Sequence, residues 1–197
     1  MTTRPSLATA RLRFDGPWMA VPLDADDPRA VAQREVAAFL GRCPELAPLG
    51  GRLVDELCLC VDECRPRGVI AAGFFSQVGD QGDLLEGWLE VRQADRQDSP
   101  EGGLAASLSS LAPDDTRPRE VGEAALRAGE AVRVRGSRDV QSDAGAHGYV
   151  VEYLEYWLPG PTADRAAVVA TMTPSVARSD RFVAAVDALV ATLTLEW

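Results

Sequence analysis

With one histidine and no lysine, this chain of 197 residues has few routes to covalent chemistry. His147 would have to be the general base of any Ser-His-Asp or Cys-His mechanism. Its Gly145-Ala146-His147-Gly148 setting could place a catalytic group, but no G-x-S-x-G elbow or matching cysteine motif accompanies it, so a plain exposed turn is the better reading. The missing lysine removes Schiff-base and phosphate-loop chemistry. Gly79-Asp80-Gln81-Gly82 also has the wrong spacing for a phosphate loop. Cys58, Cys60 and Cys64 would share one helix, where Cys58 and Cys60 diverge by about 200° and so make no zinc knuckle. They read as small buried hydrophobes. Cys43 has only Arg42 as a cationic neighbour and carries no mark of activation. Asp24, Asp26 and Asp27 lack the glycine and terminal glutamate of a calcium loop; before Pro28 they read as a helix cap. Asp62-Glu63 and Asp114-Asp115 are ordinary solvated carboxylates unless a pocket raises one pKa. The residues predict no catalytic set, no metal site and no cofactor.

What is left is aromatic and guanidinium chemistry. Trp88 falls on the polar face of its strand, and Arg133, Arg135 and Arg138 are read as one side of a hairpin. Together they make a candidate protein-binding surface. The alternative is scattered surface arginines and core aromatics.

Composition bounds the class. A hydrophobic fraction of 46% supplies a real core for a single domain spanning 1–197. The net charge of -10 argues against nucleic acid or an anionic membrane as the main partner. No stretch approaches the roughly 18 apolar residues that span a bilayer, and no membrane insertion is expected. Met1 to Ala10 lacks a charged start followed by an apolar run, which predicts a cytoplasmic protein with reduced cysteines. All twenty basic residues are arginine, a bias that reads as GC-rich coding.

The elements that must carry these residues are clearest from Gly148 to Trp197. Tyr149 to Leu158 is an aromatic and β-branched strand stopped by Pro159-Gly160-Pro161, and Ala166 to Met172 is a second strand, apolar on both faces. The short link between them forces an antiparallel pair. Phe182, Val183, Val186, Leu189, Val190 and Leu193 form the stripe of a terminal helix, with Ser179 or Asp180 as cap. Thr192 to Trp197 either ends that helix or returns as a short extension.

Upstream, residues 11–23 predict an opening hairpin or bent strand around Gly16-Pro17. A helix follows on Ala32, Val36, Phe39 and Leu40, and a second covers about Gly51 to Cys64. Strands are expected at Val69 to Ser76 and at Leu84 to Arg92, the latter with Glu86, Trp88, Glu90 and Arg92 on a wet face. Residues 93–103 and 137–147 read as mobile loops, with a short helix from Leu104 to Ala112. For residues 119–136 helix and strand both fit; alternation of Val132 and Val134 with Arg133 and Arg135 favours a hairpin.

The Arg11-to-Leu23 opening, two helices, the antiparallel strands, the strand ending Tyr156-Trp157-Leu158-Pro159, the apolar strand before Thr173-Pro174 and the Phe182-to-Leu193 helix with Trp197 resemble an uncharacterised actinobacterial family. That family is similar to the PsbP-like α/β/α sandwich of LpqN-type lipoproteins. This chain departs from it in lacking a lipoprotein signal and in its cysteine-bearing second helix. The resemblance implies a non-enzymatic binding or accessory protein, with some relatives near type VII secretion, and it transfers no functional residue.

The expectation is an α+β protein: a central antiparallel sheet of about six to seven strands, with two N-terminal helices and a C-terminal helix packed on it. It would bind an unknown protein partner, with a homodimer also allowed. The rival is a small-ligand-binding or hydrolytic enzyme using a pocket near His147.

Overall fold

The computed structural model describes residues 6–95, 119–140, 149–162 and 164–197. Two short strands open the chain, β1 (Thr9–Arg11) and β2 (Trp18–Ala20), followed by helices α1 (Pro28–Arg42) and α2 (Gly50–Cys64). Then come β3 (Ala71–Val78), β4 (Leu84–Asp95), β5 (Arg119–Leu126), β6 (Gly129–Val140), β7 (Tyr149–Pro159) and β8 (Arg165–Thr173). Helix α3 (Ser179–Val190) and strand β9 (Thr194–Glu196) close it. The main sheet has seven strands in the order β2-β3-β4-β8-β7-β6-β5, every neighbouring pair antiparallel. This is the expected α+β architecture with its two N-terminal helices and one C-terminal helix. None of the described helices is long and apolar enough to cross a membrane.

Local chemistry explains the boundaries. Asp27 caps α1, its Oδ1 accepting from the Ala30 amide at 3.0 Å with Pro28 in the first turn. Gly68 takes φ 65°, a left-handed conformation that suits glycine, and turns the chain from α2 towards β3. Residues 119–136 do form a hairpin, closing as Leu126 opposite Gly129 across Arg127-Ala128.

The sheet separates two cores. On one face α3 places Phe182, Val186 and Leu189 against Phe75, Leu89, Leu154 and Tyr156. The other face meets α1 and α2 over β2 and β3, where Val36, Phe39, Leu53 and Leu57 pack on Met19, Ala72 and Phe74. Adjacent residues of β3 therefore serve opposite cores, as strand alternation requires.

Four expectations are corrected. Of the two readings of the opening, the hairpin falls and the bend stands: Gly16 at φ 56° precedes Pro17, and the bend sends β2 onto β3 while β1 pairs with β9. That β1 pairing also makes the chain's end a short strand. Helix α3 has no side-chain cap: Arg178 occupies the N-cap position, and Ser179 and Asp180, inside the first turn, take the Arg135 guanidinium instead. Residues 93–95 and 137–140, expected within loops, are strand, since β4 continues to Asp95 and β6 to Val140. The rest of both loops, the helix expected at 104–112 and His147 lie outside the described residues. Finally, the wet face of β4 is largely covered. Glu90 is 6% exposed because the guanidinium of Arg67, just past α2, lies against it.

Candidate functional site

The four residues singled out as a surface do not form one patch. Arg133 and Arg135 are two apart on β6 and share the α3 face; Arg138 has the opposite parity and projects from the other side. Arg133 Nε lies 3.5 Å from Asp187 Oδ1 and donates to Tyr156 Oη at 3.4 Å. Arg135 Nε donates to Glu152 Oε1 at 2.5 Å, and its Nη2 donates to Asp180 Oδ1 at 2.7 Å. These two arginines tie α3 to the sheet. Asp180 and Asp187, one heptad apart on the helix, supply the matching carboxylates.

Trp88 and Arg138 do come together. The register pairs Phe74 with Trp88, Trp88 with Met172, Met172 with Tyr153 and Tyr153 with Gly136, a row crossing β3, β4, β8, β7 and β6 on one face. Gly136 has no Cβ, and the Tyr153 ring occupies that space, where an added carbon would meet Tyr153 Oη at 2.6 Å. Arg138 lies over the Tyr153 ring, 5.9 Å from its centroid, and its Nη2 is 2.6 Å from Met172 Sδ. This row is the floor of a groove, and α2 is its wall.

The groove has two compartments that share Trp88 and Arg67. The first, about 340 Å³, is bounded by Glu56, Leu59, Cys60 and Glu63 of α2, by Phe74 and Glu86 of the sheet, and by Tyr149. The second, about 360 Å³, lies over Met172 and Tyr153 between Glu90, Arg92, Arg138 and Glu155. Each compartment is within the size range of a small-molecule pocket or the seat of one large side chain.

Its charges are unevenly paired. Arg67 Nη1 donates to Glu90 Oε1 at 3.1 Å and its Nη2 lies 2.7 Å from Oε2, while Arg92 Nε is 3.3 Å from Oε1. Glu86 Oε2 takes the guanidinium of Arg52, but Oε1 is buried without a donor among the described residues. Such an orphaned acceptor costs free energy until a donor reaches it. Cys60 and Cys64 face the first compartment as protonated thiols. Burial, helped by Cys64 and Glu63, pushes Cys60 up to about 12, and burial raises Cys64. Arg67 Nη2 donates to Cys64 Sγ at 3.7 Å, but burial and the neighbouring Glu90 outweigh it, so neither thiol has the lowered pKa of a nucleophile. Among the described residues no group of three or more His, Cys, Asp or Glu side chains is placed to hold a metal ion.

Tyr149, Tyr153, Met172 and Leu59 are groove residues that sequence reasoning assigned to packing or passed over. Only the strand order, which sets β8 beside β4 and β7 beyond it, brings the strand residues to Trp88. In comparisons with known proteins the chain matches no family model, no curated protein and no solved structure.

Proposed function

We propose that the protein is a binding or accessory module, not an enzyme, which holds a segment of a partner protein in the groove between α2 and the sheet. The observation that carries this reading is the position of Leu59 and Tyr149. They are 53% and 47% exposed, the two most exposed large apolar side chains among the described residues, and both line the first compartment. Exposed apolar groups beside a half-buried tryptophan are what an interface core requires. The chemistry around them selects the partner. Glu56 and Glu63 on α2 and the orphaned Oε1 of Glu86 favour a segment whose apolar anchor is flanked by arginine or lysine. The link to type VII secretion rests on the resemblance alone.

The test is capture from the native cell with the full chain as bait, in parallel with Leu59→Asp, Tyr149→Asp and an Arg181→Ala control on α3, on the other side of the sheet. A partner held by the wild type and the control, and lost by both groove variants, supports the reading. A partner held equally by all four overturns it. Robust turnover by the purified protein that is abolished by His147→Ala would overturn the non-enzymatic assignment.

A further inference from the structure

The two edges of the main sheet differ. At one end β2 is three residues long, with Pro17 just before it and Pro22 just after, which is how proteins blunt an edge against pairing. At the other end β5 follows Pro118 but runs for eight residues in unbroken register with β6, with no proline or bulge inside it. Among the described residues β6 is its only strand neighbour. The outer edge of β5 is a regular template.

Its backbone direction follows from the turn. A two-residue turn makes Leu126 and Gly129 the hydrogen-bonded closing pair, and alternation then aims the amides and carbonyls of Ala125, Glu123, Val121 and Arg119 outward. In an antiparallel pair the outward residues of one strand must face outward residues of the other. For two copies of β5 related by a two-fold axis, this leaves only registers centred on one residue. Centring on Glu123 sets two carboxylates face to face. Centring on Gly122 sets Glu123 opposite Val121, Glu120 opposite Ala124 and Arg119 opposite Ala125, with no like charges directly opposed. Gly122 then meets Gly122 in a non-hydrogen-bonded pair, where the backbones come within about 4.5 Å. A carbon added to Gly122 meets nothing within 4 Å in the single chain, so the monomer imposes no steric need for glycine there.

We propose that β5 pairs with β5 of a second copy about Gly122, joining two seven-stranded sheets into one through about eight backbone hydrogen bonds. This pairing is independent of the groove reading, because the groove floor ends at β6. The test is sedimentation equilibrium of the full chain at 10–100 µM order of magnitude and at physiological salt, where repulsion between two acidic copies is screened. The wild type is expected at twice its 21.1 kDa chain mass. Glu123→Pro removes an outward amide without touching the β6 ladder, and Gly122→Arg sets two guanidinium groups on the axis; both are expected to be monomers with unchanged circular dichroism. If either variant misfolds, hydrogen exchange of the wild type decides. The Val121, Glu123 and Ala125 amides are expected to lose protection on dilution from the dimer to the monomer range. A monomeric wild type, a dimer that both folded variants retain, or protection independent of concentration overturns the proposal. A monomer that instead captures an extended peptide along β5 also overturns it, in favour of a foreign strand.

Discussion

Gly87→Ala should destabilise the protein through the α3 core, and the structure sets the size of the effect. A carbon at Gly87 would lie 2.3 Å from Phe182 Cε2, 2.7 Å from Cζ and 2.8 Å from the Met172 carbonyl oxygen. The carbonyl belongs to β8, whose register with β4 runs from Trp88 to Asp95, so both that backbone and the ring have to give. Phe182 is 1% exposed and packs edge-on to Phe75 at 5.5 Å and tilted to Trp18 at 6.1 Å. Its displacement therefore disturbs two aromatic contacts. Overpacking of this kind costs about 1–3 kcal/mol. Removing a strand glycine returns about 0.5–1 kcal/mol. The Met172 carbonyl is backbone and yields less readily than the ring, which puts the cost near the top of that range and the net loss at about 2–2.5 kcal/mol, or roughly 4–10 °C in Tm for a chain of this length. Urea unfolding followed by tryptophan fluorescence reads it, with Gly41→Ala in α1 as the control, since its added carbon meets nothing within 4 Å. Phe182→Leu should cost less in the Gly87→Ala background than in the wild type, because the smaller side chain relieves the clash. Equal midpoints for Gly87→Ala and Gly41→Ala would refute the packing argument.

Other perturbations address the groove and the α3 clamp. Cys60, held up to about 12 against an ordinary value near 9, should alkylate at pH 8 roughly a thousandfold more slowly in the native protein than in urea, as read by intact mass. The same shift has a sign in stability. The folded state holds the Cys60 proton more tightly, so its contribution is full below about pH 9 and is lost as the pH rises towards about 12. Cys60→Ala should flatten that alkaline decline in unfolding midpoint, and an identical decline in the variant would count against it. Tyr156→Phe removes the donor to Asp187 from a side chain that is 2% exposed. A loss of about 1–2 kcal/mol is expected in chemical denaturation, because Asp187 retains Arg133. Glu90→Ala leaves Arg67 and Arg92 without their shared carboxylate. With those arginine side chains 50% and 34% exposed, the loss should be about 1–2 kcal/mol, well short of a fully buried pair, and a value under about 0.5 kcal/mol would show that water replaces the carboxylate freely.

Periodicity made β7, β8 and α3 legible before any coordinates. Two strands separated by a short proline-rich link can pair only one way, and the stripe from Phe182 to Leu193 had to face a sheet. The β5–β6 hairpin was harder, since Val121 to Leu126 fits either period and only the Val–Arg alternation of β6 decided it. The groove was not legible, because it depends on non-consecutive neighbours. Trp88 and Tyr153 lie on strands separated by β8, and no local pattern announces that β8 inserts between β4 and β7. The burial of Glu90 was hidden for a related reason, as it follows from where Arg67 emerges from α2. The division of the arginines was within reach. Arg133 and Arg135 differ in parity from Arg138, so spacing alone separates them, but that they meet Asp180 and Asp187 depends on where α3 lies on the sheet.

Strand β3 has a thermodynamic consequence. Phe74 and Phe75 are adjacent residues on one rigid strand, yet each is built into a different core, so neither half of the molecule can melt and leave the other an intact partner surface. The two sides should unfold as one cooperative unit with coincident transitions by any probe. Occupancy of the groove would therefore raise the global opening free energy, and the slowest-exchanging amides of α3, on the far side of the sheet, would report it without touching the ligand.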